Sequence, residues 1–240
     1  MISVCVATYN GEKYIEQQLR SILKQLSPND EVIVSDDNSS DRTCDIIESI
    51  NDTRIKLYHV NLHSCKWNFQ YALQQASGDI IFMSDQDDVW LDGKVERCLK
   101  ELEICDLVVT NSMETDEQLN IINDNFFAIY NSGTGIIKNA LNNTYYGSCM
   151  AFRKHLLDYA LPLPETKEIG HDIWIGLVAE MVGKVRFINQ PFLLYRRHNS
   201  TVTNTQPNLL TRSNRNLFIK IWSRFVVLFH VCKFYIKNGK

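Results

Sequence analysis

The hydrophobic pattern in the first third of the chain repeats a short apolar run, a polar cluster and a helical segment. Apolar residues 2–7 lead into polar residues 8–11, and residues 31–35 lead into residues 36–41. Apolar residues at helical spacing follow each cluster, namely Tyr14, Ile15, Leu19, Ile22, Leu23 and Leu26 after the first, and Ile46, Ile47 and Ile50 after the second. This order of elements predicts an α/β protein with a parallel sheet.

A third apolar run, residues 80–84, is followed by three carboxylates within four positions, at Asp85, Asp87 and Asp88. Carboxylates this close repel one another unless a cation, a proton or backbone donors neutralise them, and a hard divalent ion carrying phosphate is a common neutraliser. Because the carboxyl ends of parallel strands share one edge of the sheet, the three polar loops are predicted to converge on one crevice. The chain has no glycine-rich phosphate loop, so a metal on Asp87 is predicted to meet the phosphate charge.

Several motifs occur together in an order that resembles the family 2 glycosyltransferases, non-processive enzymes of the nucleotide-sugar-binding GT-A fold. In chain order they are Thr8-Tyr9-Asn10, the acidic loop at 36–41, the D-x-D at 85–87, Gly147-Ser148-Cys149-Met150-Ala151-Phe152-Arg153, Gly170-His171-Asp172-Ile173-Trp174 and Tyr195-Arg196-Arg197-His198. Alone, each of these motifs is explained as well by a turn, a helix cap or a core aromatic residue. Their joint order over about residues 1 to 200 supports the resemblance.

The resemblance implies a Rossmann-like GT-A domain, with a mostly parallel central sheet flanked by helices and three groups of site residues. These are the nucleotide-binding residues Thr8, Tyr9, Asn10, Asp37 and Asp85, the metal ligands Asp87 and His198, and the catalytic base Asp172. Asp37 would face the base of the nucleotide, and Asp85 would lie near the ribose and the metal.

The activity implied is metal-dependent transfer of a sugar from a nucleotide-diphosphate sugar to a saccharide hydroxyl, with inversion at the anomeric carbon. Mn²⁺ or Mg²⁺ would stabilise charge on the leaving nucleoside diphosphate, and a base opposite the leaving group gives inversion. The variants at 84–90 and 171–174 are most similar to the rhamnosyltransferase-like branch, which favours a dTDP-linked donor and leaves UDP-sugars open. The acceptor implied is a saccharide or a polyprenyl-diphosphate-linked saccharide, in surface polysaccharide biosynthesis.

Two other functions remain as alternatives. A nucleotide-sugar-binding protein of the same fold without turnover is disfavoured because Asp87 and Asp172 are both intact. A nucleotidyltransferase would share the sheet and the metal, but the glycine-rich phosphate loop that it usually needs near the N-terminus is missing.

Composition indicates one catalytic domain with an appendage. A chain of 240 residues with 45% hydrophobic content is long enough to bury one substantial α/β core. Its seven cysteines include no C-x-x-C motif, which predicts reduced thiols in a cytosolic protein and disfavours a zinc site. The first strand begins at once, so no signal peptide is expected. Residues 113–146 have weak periodicity and are predicted to form a mobile connection near the acceptor site.

Charge is distributed unevenly along the chain. No acidic residue follows Glu180, where 11 of the 25 Lys and Arg residues lie. Residues 1–180 therefore carry 14 basic and 28 acidic residues, a net charge of −14, whereas residues 181–240 carry +11. The basic C-terminal end predicts an anionic partner. We place the catalytic domain at residues 1–205 and the appendage at residues 206–240.

The appendage is predicted to be a basic amphipathic helix. Its apolar arc consists of Leu217, Phe218, Ile221, Trp222, Phe225, Leu228, Phe229, Cys232, Tyr235 and Ile236, whereas Arg212, Arg215, Lys220, Arg224, Lys233 and Lys237 fall outside that arc. The longest uncharged run is too short to span a bilayer. The preferred interpretation is a cytoplasmic protein held peripherally on the anionic inner face of the cell membrane. Packing of the helix on the catalytic domain or on a second subunit is the alternative, and nucleic acid is disfavoured because the body is acidic.

Overall fold

The structure, a computed structural model, describes residues 1–198 and 217–238, the side chain of residue 217 excepted. Its strands are β1 (Ile2–Thr8), β2 (Glu31–Asp36), β3 (Ile55–His59), β4 (Ile80–Ser84), β5 (Val89–Trp90), β6 (Leu107–Thr115), β7 (Ile121–Asn123), β8 (Met150–Arg153) and β9 (Val185–Arg196). Its helices are α1 (Ile15–Leu23), α2 (Thr43–Ser49), α3 (Cys65–Gln75), α4 (Lys94–Leu102), α5 (Phe126–Tyr130), α6 (Ile136–Leu141), α7 (Leu157–Ala160), α8 (His171–Val182) and α9 (Leu217–Asn238).

One sheet organises the described part of the chain, with strand order β3-β2-β1-β4-β8-β6-β9-β5 and β7 paired to β6. Strands β1, β2, β3, β4, β6 and β9 run in one direction, whereas β5, β7 and β8 run against it. The predicted fold class, a mostly parallel sheet flanked by helices, is confirmed. Every residue of β1 and β2 is buried, as expected of parallel strands that have helices on both faces.

The reversed strand β8 determines which loops meet at the site. It lies between β4 and β6 and pairs antiparallel with both, so its amino end lies beside the carboxyl ends of its neighbours. The short 3₁₀ turn Gly147–Cys149 comes directly before β8 and therefore lies against the loop that follows β4. Residues far apart in the chain reach one edge of the sheet in this way.

The connection at residues 113–146, for which mobility is predicted, contains regular structure. Strand β6 extends to Thr115, β7 pairs with it, and helices α5 and α6 follow. The Asn125 side chain caps α5 by accepting a hydrogen bond from Ala128 N at 3.1 Å. These elements are only three, five and six residues long, which is too short for a hydrophobic period to indicate them.

Helix α9 packs on the catalytic domain through a face that the sequence pattern did not indicate. Val227, Val231 and Phe234 are buried in the same hydrophobic core as the sheet, whereas much of the predicted apolar arc is exposed. The predicted boundary at 205/206, together with Arg212 and Arg215, lies outside the described residues. Among the helices that the structure describes, none combines the length and the hydropathy that crossing a bilayer requires.

Candidate active site

One cavity of about 870 Å³ opens at the carboxyl edge of the sheet. All eight residues predicted for the site line it, namely Thr8, Tyr9, Asn10, Asp37, Asp85, Asp87, Asp172 and His198. The loops after β1, β2 and β4 form one side, and the turn before β8, the start of α8 and the end of β9 form the other. The predicted convergence of polar loops is therefore observed.

Gln86, the middle residue of the D-x-D, joins the loop after β4 to the loop after β1. Its Nε2 donates to the carbonyl oxygen of Tyr9 at 3.0 Å, and its Oε1 accepts from Tyr9 N at 2.9 Å. A Cβ on Gly11 would overlap this amide, lying 2.7 Å from the Gln86 side-chain carbonyl carbon. Glycine at position 11 therefore leaves room for the Gln86 side chain to reach Tyr9.

The loops after β1 and β2 are also bonded to each other. Thr8 Oγ1 donates to Asp36 Oδ1 at 2.8 Å, and Asn10 Oδ1 accepts from Ser40 N at 2.8 Å. Asn10 adopts a left-handed backbone conformation with φ of 48°, which asparagine tolerates better than most residues. These bonds fix one wall of the cavity in place.

Asp37 is buried and its carboxylate is largely occupied by backbone donors. Oδ1 accepts from Leu62 N at 2.5 Å and from His63 N at 3.0 Å, and Oδ2 accepts from Ser64 N at 2.9 Å. A carboxylate has about four acceptor positions, so one remains for a further donor. Asp37 therefore holds the loop after β3 against the cavity in addition to any contact with a ligand.

The acidic loop after β4 brings three carboxyl groups close together, those of Asp85, Asp87 and Asp88. Burial, followed by repulsion from Asp87, raises the pKa of Asp85 to about 7, and burial with both neighbouring carboxylates raises the pKa of Asp88 above its ordinary range. Ser148 Oγ donates to Asp85 Oδ2 at 2.5 Å and so orients that side chain. The buried Lys94 donates to the Ser148 carbonyl oxygen at 2.6 Å and so fixes the turn that carries Ser148; burial lowers the pKa of this lysine.

Asp87 and His198 are brought together across the cavity from the loop after β4 and the end of β9. His198 Nε2 lies 2.8 Å from Asp87 Oδ2, and both side chains are mostly buried. The Tyr14 ring contacts the His198 ring, with ring centroids 4.8 Å apart. The Arg196 guanidinium lies 4.7 Å from the centroid of the Tyr14 ring. The two predicted metal ligands are therefore adjacent.

Arg196 holds the acidic loop in position. Its backbone N donates to Asp88 Oδ1 at 3.1 Å, and its Nε donates to the Asp87 carbonyl oxygen at 2.8 Å. Its two terminal nitrogens donate to the Glu117 carbonyl oxygen and to Gln17 Oε1, each at 2.6 Å. This single buried side chain joins the acidic loop to α1 and to the connection after β6.

The donor set around Asp87 fits a hard divalent cation that also binds phosphate. Carboxylate oxygens and an imidazole nitrogen face the same cavity, and Asp88 Oδ2 is buried without a hydrogen-bond partner in the described residues. Mg²⁺ and Mn²⁺ prefer oxygen-rich sites with one or two carboxylates and with phosphate oxygens completing the coordination. Asp87 and His198 are the residues placed to hold such an ion.

A second group of metal-ligand types, Asp36, Cys44 and His59, has its ligand atoms within 4.8 Å of one another. Asp36 is already an acceptor from Thr8 Oγ1, and from Ser39 Oγ at 2.6 Å. Burial, followed by the Asp36 charge, raises the pKa of the Cys44 thiol to about 12, which opposes formation of a thiolate ligand. We therefore interpret this group as a hydrogen-bonded cluster.

Asp172 lies in the first turn of α8 and is half-buried at the cavity wall. A Cβ on Gly170 would lie 2.6 Å from Asp172 Oδ1, so glycine at 170 leaves space for this carboxylate. His171 beside it stacks on Phe69 with ring centroids 4.2 Å apart, and burial lowers its pKa, which favours the neutral imidazole. The Asp172 carboxyl group therefore lies beside a ring that favours its neutral form.

Sequence reasoning did not assign roles to Gln86, Ser148 and Arg196, although all three lie within the quoted motifs. It also missed a group of aromatic residues in the cavity wall. There the Phe126 ring contacts the Tyr146 ring edge-on at 4.4 Å and lies 5.9 Å from the Tyr195 ring, and all three residues line the cavity.

Comparison with known proteins identifies the family. The sequence profile described as "Glycosyl transferase family 2" matches residues 3–160. The chain therefore belongs to the family 2 glycosyltransferases. The predicted family and the GT-A fold class are both confirmed.

Two curated relatives illustrate the similarity. Escherichia coli WfaP, named "UDP-Glc:alpha-D-GlcNAc-diphosphoundecaprenol beta-1,3-glucosyltransferase", is 27% identical over 248 residues, covering 100% of this chain and 94% of the relative. Shigella flexneri RfbG, named "dTDP-rhamnosyl transferase", is 31% identical over 136 residues, covering 53% of this chain and 43% of the relative. Another relative, an uncharacterised Nostoc glycosyltransferase, is matched over 65% of its own length, so the chain spans only part of some relatives.

Solved structures show the same fold. S. aureus TarS in complex with UDP-GlcNAc superposes with a TM-score of 0.67 at 21% identity, over 83% of this chain and 59% of the TarS chain. The Pyrobaculum calidifontis mannosyltransferase PcManGT, in complex with GDP-Man and Mn²⁺, gives a TM-score of 0.58 at 20% identity, over 79% of this chain and 54% of that chain.

Proposed function

We propose that this protein transfers a sugar from a nucleotide-diphosphate sugar to a saccharide hydroxyl, with metal dependence and with inversion at the anomeric carbon. The observation that supports this proposal is that one cavity contains the nucleotide loops, the acidic loop and Asp172. A binding protein without turnover would not need a half-buried carboxylate at this position on the cavity wall.

Each side of the cavity has a distinct role in this proposal. Thr8, Tyr9, Asn10, Asp37 and Asp85 bind the nucleoside, with the remaining acceptor position of Asp37 facing the base. Asp87 and His198 hold Mn²⁺ or Mg²⁺, which when bound neutralises charge on the departing diphosphate. Asp172 accepts the proton of the attacking hydroxyl, and Gly170 gives its carboxylate room to do so.

The donor and the acceptor are inferred from what the relatives are named for. WfaP is named for UDP-Glc and RfbG for dTDP-rhamnosyl transfer, so we propose a UDP- or dTDP-linked sugar as donor. WfaP is also named for an acceptor carried on diphosphoundecaprenol. We therefore propose a polyprenyl-diphosphate-linked saccharide as acceptor, in surface polysaccharide biosynthesis, with the protein peripheral to the cytoplasmic face of the membrane.

The first test is thermal stabilisation by UDP, dTDP, GDP and CDP, each with Mn²⁺ or with EDTA. A ligand that binds only the folded state raises the melting temperature, so we expect one diphosphate to give a shift that requires the metal. Asp87→Asn is expected to remove the metal-dependent part of that shift. No shift with any nucleotide would contradict the proposed nucleotide and metal site.

The second test separates an enzyme from a binding protein. Asp172→Asn is expected to keep the metal-dependent shift and to lower transfer by about a hundredfold or more, because the hydroxyl loses its base. Asp158→Asn is the matched control, since Asp158 is also in the first turn of a helix but is exposed outside the cavity. Nucleotide binding by the unmodified protein, without transfer to any acceptor, would favour the binding-protein alternative.

A further inference from the structure

Helix α9 has apolar side chains on two opposite faces, which is unusual for a helix at the surface of a domain. Its inner face is buried against the catalytic domain. Phe234 is buried there with its ring 6.1 Å from that of Trp174 and 6.4 Å from that of Tyr159, and Val227 and Val231 are buried beside it. Packing on the domain therefore accounts for one apolar face and leaves the other to be explained.

The opposite face carries what we call the outer row, defined as Ile221, Trp222, Phe225, Phe229, Cys232 and Ile236. Successive members are one, three or four positions apart, so all lie on one side of the helix. The five members other than Cys232 are between 52% and 84% exposed, and Cys232 is exposed as well. The row is about 22 Å long at the rise of an α-helix, and a continuous apolar surface of this kind marks an interaction site.

The charge of the helix indicates what covers this row. Residues 181–240 carry +11 and no acidic residue, and Lys233 and Lys237 lie on α9 itself beside the row. Two copies packed through this face would bring these charges together, which is unfavourable. An anionic lipid surface instead accepts aromatic side chains at the interface and attracts the basic residues around them.

We infer that the outer row of α9 is a membrane-binding surface for an anionic lipid bilayer. The helix lies parallel to the membrane, with the outer row in the interface and the inner face on the catalytic domain. No side chain has to leave the protein core for this attachment, because the two faces are separate.

The attachment of α9 to the domain relates this surface to the active site. Ser223 hydrogen-bonds to Glu168, which lies three positions before the start of α8 and four before Asp172. Arg224 Nε donates to the Leu141 carbonyl oxygen at 2.8 Å, and the exposed Ile137 and Leu141 of α6 extend the apolar surface beside the helix. The end of the outer row that contains Trp222 and Phe225 is therefore the end attached near Asp172, the proposed base. This placement rests on the proposed function and would bring a lipid-linked acceptor to Asp172.

The inference is tested with the purified full chain and sedimentation of vesicles made of phosphatidylglycerol and phosphatidylcholine, without donor or acceptor. The double variant Trp222→Ser/Phe225→Ser is expected to weaken vesicle binding by about tenfold or more, because two aromatic rings no longer enter the interface. Ile104→Ser is the matched control, since Ile104 is 56% exposed on a loop far along the chain from α9. Both variants are expected to keep the wild-type melting temperature.

Four outcomes would overturn the inference. They are no sedimentation of the wild-type protein, equal binding to vesicles of phosphatidylcholine alone, equal loss in the Ile104→Ser control, and unchanged binding of the double variant. A dimer in analytical ultracentrifugation that the double variant abolishes would identify a second copy as the occupant and would also overturn it.

The same variants separate this inference from the proposed function. With a water-soluble acceptor, the double variant is expected to transfer sugar at the wild-type rate, whereas with an acceptor embedded in anionic vesicles its rate is expected to fall. Vesicle binding without any transfer would support the membrane surface while contradicting the proposed enzyme. Equal rates of the double variant and the wild type on the embedded acceptor would overturn the placement of Asp172 at the bilayer.

Discussion

At the scale of single residues, Arg196 connects more of the site than any residue chosen from the sequence as a ligand. Its side chain donates to acceptors on three different segments, and its backbone N donates to Asp88. The Asp87 carboxylate contacts His198, and Arg196 fixes the Asp87 backbone through its carbonyl oxygen. Arg196 is therefore a positioning residue for the acidic loop.

Arg196→Lys is expected to weaken Mn²⁺ binding in the presence of UDP by about tenfold, because a lysine ammonium reaches fewer of these acceptors than the planar guanidinium. Isothermal titration with Mn²⁺ measures this affinity, and kcat at saturating metal is expected to change less. Arg186→Lys is the control, since Arg186 is also on β9 but forms an ion pair with Glu101. Equal Mn²⁺ affinity in the two variants would argue against the positioning role.

The predicted cavity residues and the missed ones differ in how far along the sequence the features that define them lie. Thr8, Asp37 and Asp85 directly follow strands or end them, so the strand and loop pattern was enough to predict that they share an edge of the sheet. Gln86 and Arg196, by contrast, act through partners 77 and 109 positions away. Hydrogen bonds over such separations leave no local pattern in a single sequence.

At the scale of secondary-structure elements, Glu31 at the start of β2 joins several elements at the amino end of the sheet. Its Oε1 accepts from Ser3 Oγ at 2.5 Å and from Ser77 N and Oγ at 2.7 Å each, and its Oε2 accepts from Lys56 Nζ at 2.6 Å. Burial alone would raise the pKa of this carboxyl group, but these bonds outweigh it and lower the pKa to about 2. The ionised form is therefore strongly favoured in the folded protein.

Glu31 is expected to make stability fall with acid over a defined range. Its pKa is about 2 in the folded state and 4.5 in the unfolded chain, so its contribution is complete above about pH 4.5 and is lost as pH falls toward 2. Glu31→Gln is expected to cost about 2 kcal/mol of unfolding free energy at neutral pH, allowing for solvent screening of the half-exposed Lys56, and to flatten this acid dependence. Urea unfolding at several pH values measures both effects. Parallel curves for variant and wild type would contradict this role.

The elements that were predicted and those that were not differ in their source of stability. Strands β1, β2 and β4 are short, largely apolar runs. Such runs are typical of parallel strands that are buried between helices, so the sequence pattern was enough to predict them. The elements at 121–141 are three to six residues long, and the cap residue Asn125 that begins α5 is of a type common in loops as well. In α9 the apolar residues are spread over most of the circumference, so the spacing predicted a helix but not which face is inward.

At the scale of the whole molecule, α9 and the catalytic domain share one hydrophobic core in the described part of the chain. A separate appendage would leave Trp174 of α8 uncovered, whereas here the Phe234 and His230 rings lie against it. The helix is therefore a structural part of the domain on its inner face.

Phe234→Ala is expected to lower the unfolding free energy of the whole domain by about 3 kcal/mol, because it leaves a cavity beside Trp174. Phe229→Ala removes the same ring from the exposed outer row and is expected to change stability by less than about 0.5 kcal/mol. Urea unfolding followed by tryptophan fluorescence and by circular dichroism should give one coincident transition in each variant. Equal effects of the two substitutions would mean that α9 does not share the core.

The bonds between the loops after β1, β2 and β4 have a consequence for the energetics of donor binding. Because Gln86 holds Tyr9, Asn10 holds Ser40 and Asp37 holds residues 62–64, this wall does not need to become ordered when a nucleotide arrives. Little of the interaction energy is then lost to conformational entropy. The heat-capacity change on nucleotide binding should accordingly reflect desolvation of the nucleotide and the cavity, without a contribution from coupled folding of these loops.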